Sequence, residues 1–228
     1  MNFSRTFTAC LIALASLPAL AQDGPPQEVF VPKGDKGPVV VVLSGQSGTP
    51  AYRSYAAQVA ALGYYAVLID SKHTLPREQD GAANLRKVVA KAQASPNGSP
   101  GKAVVIGFSQ GGAGVLAHAL AMPDLFAAAV VYYPGTGWSN DRAGLVGRMQ
   151  LPLLVLAGEL DRFANCCLVE HMREMDAAAK ARGLPLELVV YPNANHGFNL
   201  TGPTYRPDDT ADAWRRTMEM LAKHQPVK

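Results

Sequence analysis

Gly107-Phe108-Ser109-Gln110-Gly111-Gly112 is the stretch of this chain that decides its fold. It lies between an apolar, β-branched run at residues 103–106 and small residues at 113–117, a pattern that predicts a buried strand followed by a helix. Ser109 then lies at the apex of a sharp strand-to-helix turn, a G-x-S-x-G nucleophile elbow. The serine of such a turn has a strained backbone, and the flanking glycines leave the room it needs. The alternative interpretation is an ordinary glycine-rich turn.

Apolar segments alternate with segments of helical periodicity through the rest of the chain. The predicted strands cover residues 29–31, 38–43, 64–69, 103–106, 127–132, 153–157 and 186–191. Predicted helices follow most of these strands, the clearest at residues 77–94 and from about residue 208 onward. This alternation predicts an α/β fold with a mostly parallel, doubly wound sheet of about seven strands. We expect residues 22–228 to form one domain.

The first 21 residues have the pattern of a signal peptide. Arg5 supplies the positive charge, residues 7–17 are apolar, and Ala19-Leu20-Ala21 is an A-x-A cleavage site. The apolar run is too short for a spanning helix, and most of it follows Cys10, which argues against a lipoprotein anchor. We therefore expect a periplasmic or secreted protein without a membrane anchor; the alternative is a buried N-terminal helix.

Composition excludes several function classes. Hydrophobic residues make up 48% of the chain and charged residues 17%, which is typical of a globular protein. The formal net charge of +3 is too small to indicate a nucleic-acid partner. The spacing of cysteines and histidines does not match a zinc site, so we expect no metal and no cofactor.

Cys166 and Cys167 are the two cysteines that signal-peptide cleavage would leave, and they are adjacent. In an oxidising compartment they could form a vicinal disulfide. Two buried free thiols are the slightly preferred alternative.

Histidine and carboxylate candidates accompany the predicted nucleophile. Ser109 needs a base within hydrogen-bond reach, and that base needs an orienting carboxylate. Reactive groups of a parallel sheet lie beyond the carboxyl ends of its strands, where His196 and Asp161 both occur. We therefore predict Ser109 as nucleophile, His196 as base and Asp161 as acid. His73 is the alternative base, and Glu159 is the runner-up for the acid.

Two backbone N–H groups should stabilise the oxyanion that forms when Ser109 attacks. The N–H of Gln110, directly after the nucleophile, is one candidate. The other is Gln46, which lies between Gly45 and Gly48 after the second predicted strand.

The connection at residues 134–150 is too short to form a large lid. The glycines Gly135, Gly137 and Gly144 of this connection suggest a mobile flap. We expect Trp138, with Tyr133 at the root of the connection, to form the apolar wall of the substrate pocket. The alternative is that Trp138 simply packs on a neighbouring helix.

The chain resembles the dienelactone hydrolase family of α/β-hydrolases over nearly all of its mature length. The resemblance rests on the elbow, on Gly158-Glu159-Leu160-Asp161, on the segment at 191–198 that contains His196-Gly197-Phe198, and on the tail at 205–221. It implies an α/β-hydrolase fold with Ser, acid and His in that order along the chain. The elbow is equally similar to that of carboxylesterases and acyl-protein thioesterases.

Three positions depart from the family pattern. Ser109 stands where the namesake enzymes have cysteine, Gly45 where they have glutamate, and Ser44 where a histidine usually opens the oxyanion loop. The thiol-activation switch of the family is therefore absent. The resemblance implies a serine hydrolase that acts on small carboxylic esters. A thioesterase or peptidase with the same three residues, or a non-catalytic binding protein on a hydrolase scaffold, is the alternative.

The A-x-A site predicts that the exported protein begins at Gln22. Intact-mass measurement on protein from the cell envelope or medium checks this. A mass that retains residues 1–21 would show that the segment is not a cleaved signal peptide.

Overall fold

The chain folds around a seven-stranded sheet in which one edge strand is antiparallel to its neighbour and the other pairs are parallel. This computed structural model describes residues 24–75 and 79–227, so the predicted signal peptide lies outside the described residues. The strands are β1 (Glu28–Phe30), β2 (Val39–Leu43), β3 (Tyr65–Ile69), β4 (Ala103–Phe108), β5 (Phe126–Tyr132), β6 (Leu153–Gly158) and β7 (Leu186–Tyr191). Their order across the sheet is β1-β3-β2-β4-β5-β6-β7. The predicted doubly wound sheet is confirmed.

Within residues 24–75 and 79–227, six α-helices connect and cover the strands: α1 (Arg53–Ala61), α2 (Gly81–Ala94), α3 (Gln110–Ala117), α4 (Arg142–Gly147), α5 (Val169–Ala181) and α6 (Pro207–His224). The prediction that α2 begins near residue 77 is wrong. It begins at Gly81, because the Asp80 carboxylate caps it by accepting a hydrogen bond from the Ala83 N–H at 2.9 Å. None of the helices in the described ranges has the length and hydropathy that crossing a bilayer requires.

Apolar side chains pack against both faces of the sheet. All five residues of β2 are buried; Val39 and Val41 belong to the cluster on one face and Val40 to the cluster on the other. Side chains alternate between the faces of a strand, so a continuously apolar strand must be covered on both sides. Leu85 of α2 lies in the first cluster and Leu221 of α6 in the second.

The turn after β4 has the strain predicted for a nucleophile elbow. Ser109 has φ 50° and ψ −110°, a conformation that L-residues rarely adopt. A Cβ on Gly107 would lie 2.6 Å from the Gly111 carbonyl oxygen. A Cβ on Gly111 would lie 2.5 Å from the Leu43 carbonyl oxygen. Both glycines are therefore required for α3 to start close against the sheet.

The loop after β2 passes close to a buried tyrosine. A Cβ on Gly45 would overlap the hydroxyl of Tyr52 and would lie 3.2 Å from its Cζ. The Tyr52 ring packs on Phe108 with 4.8 Å between ring centroids, and it is 2% exposed, so it has little room to move. Glycine is therefore the residue that this position accepts while Tyr52 is present, which explains the departure from the glutamate of the family.

This contact makes Gly45 and Tyr52 energetically coupled. We expect Gly45→Ala to lower the free energy of unfolding by about 2 kcal/mol, as overpacking typically does. Removing the hydroxyl with Tyr52→Phe should recover part of that loss, so the double variant should lose less than the sum of the two single losses. Urea unfolding of the four proteins measures the coupling. Gly34→Ala is the matched control, because a Cβ there would contact nothing within 4 Å. Additive losses would contradict this account.

Candidate active site

Three side chains form a hydrogen-bonded chain at the carboxyl edge of the sheet. The hydroxyl of Ser109 lies 3.0 Å from Nε2 of His196, and Nδ1 of His196 lies 2.8 Å from Oδ2 of Asp161. Ser109 follows β4, Asp161 follows β6 and His196 follows β7. Because these strands are parallel, their carboxyl ends lie at one edge, and residues far apart in sequence meet there.

The Asp161 carboxylate is buried and fully engaged. Its side chain is 0% exposed, and while Oδ2 pairs with His196, Oδ1 accepts a hydrogen bond from the Phe163 N–H at 3.1 Å. Glu159, the runner-up, instead forms a surface ion pair with Arg173 at 3.1 Å. Of the two carboxylates, Asp161 is the one that can orient the imidazole. Likewise His196, rather than the alternative base His73, is the histidine hydrogen-bonded to Ser109.

Backbone contacts hold the loops of the acid and the histidine together. The Glu159 N–H donates to the Tyr191 carbonyl and the Leu160 N–H donates to the Ala194 carbonyl, both at 3.0 Å. A Cβ on Gly158 would lie 2.5 Å from the Ala194 carbonyl oxygen, so glycine permits this close approach. The family-like segment at 158–161 is therefore explained by the need to bring Asp161 against His196.

Two aromatic rings fix the orientation of the imidazole. The Phe163 ring stacks on His196 with centroids 4.6 Å apart and an interplanar angle of 11°. The Tyr133 ring meets it edge-on at 4.7 Å. Sequence reasoning missed Phe163, and its proximity to Asp161 along the chain was the available signal. Positive φ values at Ala164 and Asn165 mark the sharp turn that follows it.

Tyr133 and Trp138 occupy different environments. Tyr133 is 1% exposed, and its hydroxyl donates to Oδ1 of Asn199 at 2.6 Å. Burial raises its pKa well above the usual range, so the hydroxyl stays protonated. The expectation that Tyr133 forms part of the pocket wall is therefore wrong. Tyr133 is buried, and its ring packs against His196 from the protein interior. Trp138 is 53% exposed, and its indole N–H donates to the Gly135 carbonyl at 2.9 Å.

The connection between β5 and β6 packs against the segment that follows Asp161. The N–H groups of Thr136 and Gly137 both donate to the Cys166 carbonyl, at 2.7 and 2.8 Å. A Cβ on Gly137 would lie 3.0 Å from the Asn165 carbonyl oxygen. Close packing thus explains Gly137, and this glycine no longer indicates a mobile flap. The only helix in this fully described connection is the short α4, which leaves the site without a large lid.

Cys166 and Cys167 are joined by a vicinal disulfide. The slight preference for two free thiols is therefore wrong. Cys167 is buried, whereas Cys166 is partly accessible. The signal that could have decided between the alternatives was the predicted export to an oxidising compartment.

The two predicted oxyanion donors belong to segments that border Ser109. Gln110 is the first residue of α3, and its side-chain oxygen accepts a hydrogen bond from the Ser71 hydroxyl at 3.1 Å. Gln46 is exposed and follows Gly45, where a Cβ would lie 3.5 Å from Cβ of Ser109. Ser44 stabilises this loop by donating from its hydroxyl to the Gly45 carbonyl at 3.0 Å.

Solved structures share this architecture. An esterase of the planctomycete Thermogutta terrifontis with propionate bound has a TM-score of 0.66 and 22% identity, over 88% of this chain and 90% of that chain. The same esterase phosphorylated by paraoxon has a TM-score of 0.69 and 20% identity, over 88% and 89% of the two chains. At these identities the likeness shows the fold, and it confirms the expected α/β-hydrolase fold.

Sequence comparison identifies the family. A carboxymethylenebutenolidase of Pseudomonas sp. strain P51 is 34% identical over 152 residues, which are 65% of this chain and 59% of that protein. The chain spans a little over half the length of the curated relatives it matches. The sequence model of the dienelactone hydrolase family matches residues 68–225, which is more than half of the chain. The chain therefore belongs to the dienelactone hydrolase family.

Proposed function

We propose that this protein is a serine hydrolase that cleaves small carboxylic esters through an acyl-enzyme intermediate. The observation that carries the proposal is the hydrogen-bonded chain from Ser109 through His196 to Asp161, with distances of 3.0 and 2.8 Å. A serine hydroxyl becomes a useful nucleophile when a base removes its proton as it attacks. Membership of the dienelactone hydrolase family supports the ester class of substrate.

In the first half of the reaction, the Ser109 oxygen attacks the ester carbonyl. Nε2 of His196 takes the hydroxyl proton, and the buried Asp161 carboxylate stabilises the imidazolium that forms. The N–H groups of Gln46 and Gln110 donate to the tetrahedral oxyanion. The imidazolium then gives its proton to the leaving alcohol, and the acyl group remains on Ser109.

In the second half, water replaces the alcohol. His196 removes a proton from the water as its oxygen attacks the acyl carbonyl, and the same N–H groups stabilise the second oxyanion. The collapse of this intermediate returns the proton to Ser109 and releases the carboxylic acid. These steps use side chains and backbone groups of the chain itself.

Serine at position 109 and glycine at position 45 separate this site from that of the namesake enzymes, as the resemblance describes them. The Tyr52 hydroxyl fills the space that a side chain at Gly45 would need. We therefore infer a general ester substrate rather than a dienelactone. A thioesterase or peptidase would use the same three residues. A binding protein on this scaffold would not react with a fluorophosphonate, whereas an active serine hydrolase would be labelled at Ser109.

The exposed apolar side chains around the site indicate a small substrate. Trp138, Leu160 and Phe163 are 53%, 51% and 42% exposed, and Phe163 lies directly on the His196 ring. Together they offer an open apolar rim rather than a deep channel for a long acyl chain. The structurally similar Thermogutta terrifontis esterase binds propionate and butyrate, which supports short acyl groups here.

We also propose that the protein acts in the periplasm or outside the cell. The predicted signal peptide motivates this location. The vicinal disulfide supports it, because structural disulfides persist in oxidising compartments.

Replacing either Ser109 or His196 by alanine should lower kcat for 4-nitrophenyl acetate on the order of 10³-fold or more, because the members of such a triad act as a unit. Asp161→Asn should also impair kcat, because the buried carboxylate no longer orients the imidazole. Steady-state kinetics, with circular dichroism to verify folding, measures these effects.

Glu159→Gln and His73→Ala are the matched controls, and both should retain near-normal kcat. Activity that survives in His196→Ala but disappears in His73→Ala would show that the base is His73 instead. Loss of activity in Glu159→Gln with retention in Asp161→Asn would overturn the assignment of the acid.

The open rim predicts a preference for short acyl chains. Across 4-nitrophenyl esters from acetate to palmitate, kcat/KM should be highest for the short esters and should not rise in the presence of micelles. Phe163→Ala and Trp138→Ala should flatten this dependence on chain length if the two rings contact the acyl group. A preference for palmitate, or strong activation by micelles, would contradict a site without a large lid.

A further inference from the structure

We propose that reduction of the Cys166–Cys167 disulfide creates a binding site for one thiophilic divalent cation such as Zn²⁺, with the two thiolates and His196 as ligands. Among the described residues, the two sulfur atoms and an imidazole nitrogen of His196 all lie within 4.8 Å of one another. The proposal of metal binding rests on this cluster alone and does not depend on the protein's function. Its effect on catalysis rests on the function proposed above, because His196 is the proposed base.

The composition and spacing of the cluster suit zinc. Zn²⁺ prefers cysteine sulfur and histidine nitrogen, at about 2.3 and 2.0 Å, so tetrahedral ligands lie roughly 3.5 Å from one another. The separations of up to 4.8 Å therefore need to close by only about 1 Å. Breaking the S–S bond lets the two sulfurs move apart, which is the direction that binding requires. Two cysteines and one histidine leave a fourth position for water.

Contacts other than the disulfide hold both parts of the cluster in place. The Cys166 carbonyl accepts hydrogen bonds from the Thr136 and Gly137 N–H groups, and the Cys167 side chain is buried. The Phe163 N–H bonds to Asp161, and its ring stacks on His196. The thiols should therefore remain beside the imidazole after reduction.

The chemical step balances with a dithiol as the reductant. One thiolate of the dithiol attacks a sulfur of the Cys166–Cys167 bond, which forms a mixed disulfide and frees the other cysteine. The second thiolate of the dithiol then attacks the dithiol's own sulfur in that mixed disulfide, which closes the reductant's disulfide and frees the remaining cysteine. The protein gains two electrons and two protons, and the reductant leaves as its own disulfide. Binding of the cation then displaces both thiol protons, because the thiolates are the ligands.

Occupancy of this site would disable the proposed base. The two imidazole nitrogens of His196 pair with Ser109 and Asp161, so a metal on either nitrogen breaks one link of the hydrogen-bonded chain. The disulfide thereby keeps thiophilic metals away from the base. An oxidised protein should be active and insensitive to Zn²⁺, and a reduced one should be inhibited by it.

Cobalt provides a direct test of binding. The protein is reduced with dithiothreitol, desalted without oxygen and titrated with Co²⁺, whose bonds to thiolates give charge-transfer absorption. We expect one Co²⁺ per reduced chain with this band, displaced by Zn²⁺, and no band in the oxidised protein. The double variant Cys166→Ser/Cys167→Ser should show no band; it retains every histidine of the mature protein, so it reports non-specific binding.

The histidine is tested separately. His196→Ala should weaken Co²⁺ binding by at least about tenfold, because even the loss of a residue that only hydrogen-bonds to a metal ligand typically lowers affinity by that much. His73→Ala should bind Co²⁺ normally. A reduced protein without the band, a band that persists in the serine double variant, or equal affinity in His196→Ala would each overturn the proposed site.

Activity measurements then distinguish this proposal from the proposed function. Stoichiometric Zn²⁺ should lower hydrolysis of 4-nitrophenyl acetate at least tenfold in reduced protein and leave oxidised protein unchanged. If the cobalt band appears as expected but neither form hydrolyses esters, the metal site stands and the esterase assignment fails. If the enzyme is active but binds no Co²⁺ after reduction, the esterase assignment stands and the metal site fails.

Discussion

The strained backbone at Ser109 is the constraint on which the rest of the site depends. A residue with φ 50° costs about 1–3 kcal/mol and persists where its surroundings fix it. The Ser109 N–H donates to the Tyr132 carbonyl at the end of β5, and its carbonyl accepts hydrogen bonds from Ala113 in α3 and from Gly135. Sheet, helix and the connection after β5 thus lock the turn together. The result is a hydroxyl fixed at the sheet edge, where the other reactive groups converge.

The imidazole is held as firmly as the nucleophile. Asp161 bonds to one nitrogen, Ser109 to the other, and the rings of Phe163 and Tyr133 contact its surface. Phe163 belongs to the same short segment as the disulfide, and that segment is bonded to the connection after β5. The support of the proposed base, the apolar rim and the candidate metal ligands are therefore parts of one structure. In this arrangement, the redox state of Cys166 and Cys167 would directly affect the proposed base, His196.

Local sequence patterns predicted the parts of this protein that depend on local physics. β7 begins and ends at the predicted residues, and Ser109, Asp161 and His196 lie together because each follows a parallel strand. The features that were missed arise from contacts between distant segments. Burial of Tyr133, stacking of Phe163 on His196 and the fit of Gly137 against Asn165 depend on how loops meet above the sheet. Residue type and spacing carry little information about such contacts.

The central claim, that Ser109 carries the acyl group between the two halves of the reaction, is tested most directly by trapping that intermediate. Protein mixed with 4-nitrophenyl acetate is quenched in acid during turnover, digested and mapped by peptide mass spectrometry. The account predicts an acetyl group on Ser109, and its accumulation in an Asp161→Asn variant if deacylation is slowed. Continued hydrolysis with the acyl group on another residue, or with no acylated peptide in either protein, would contradict it.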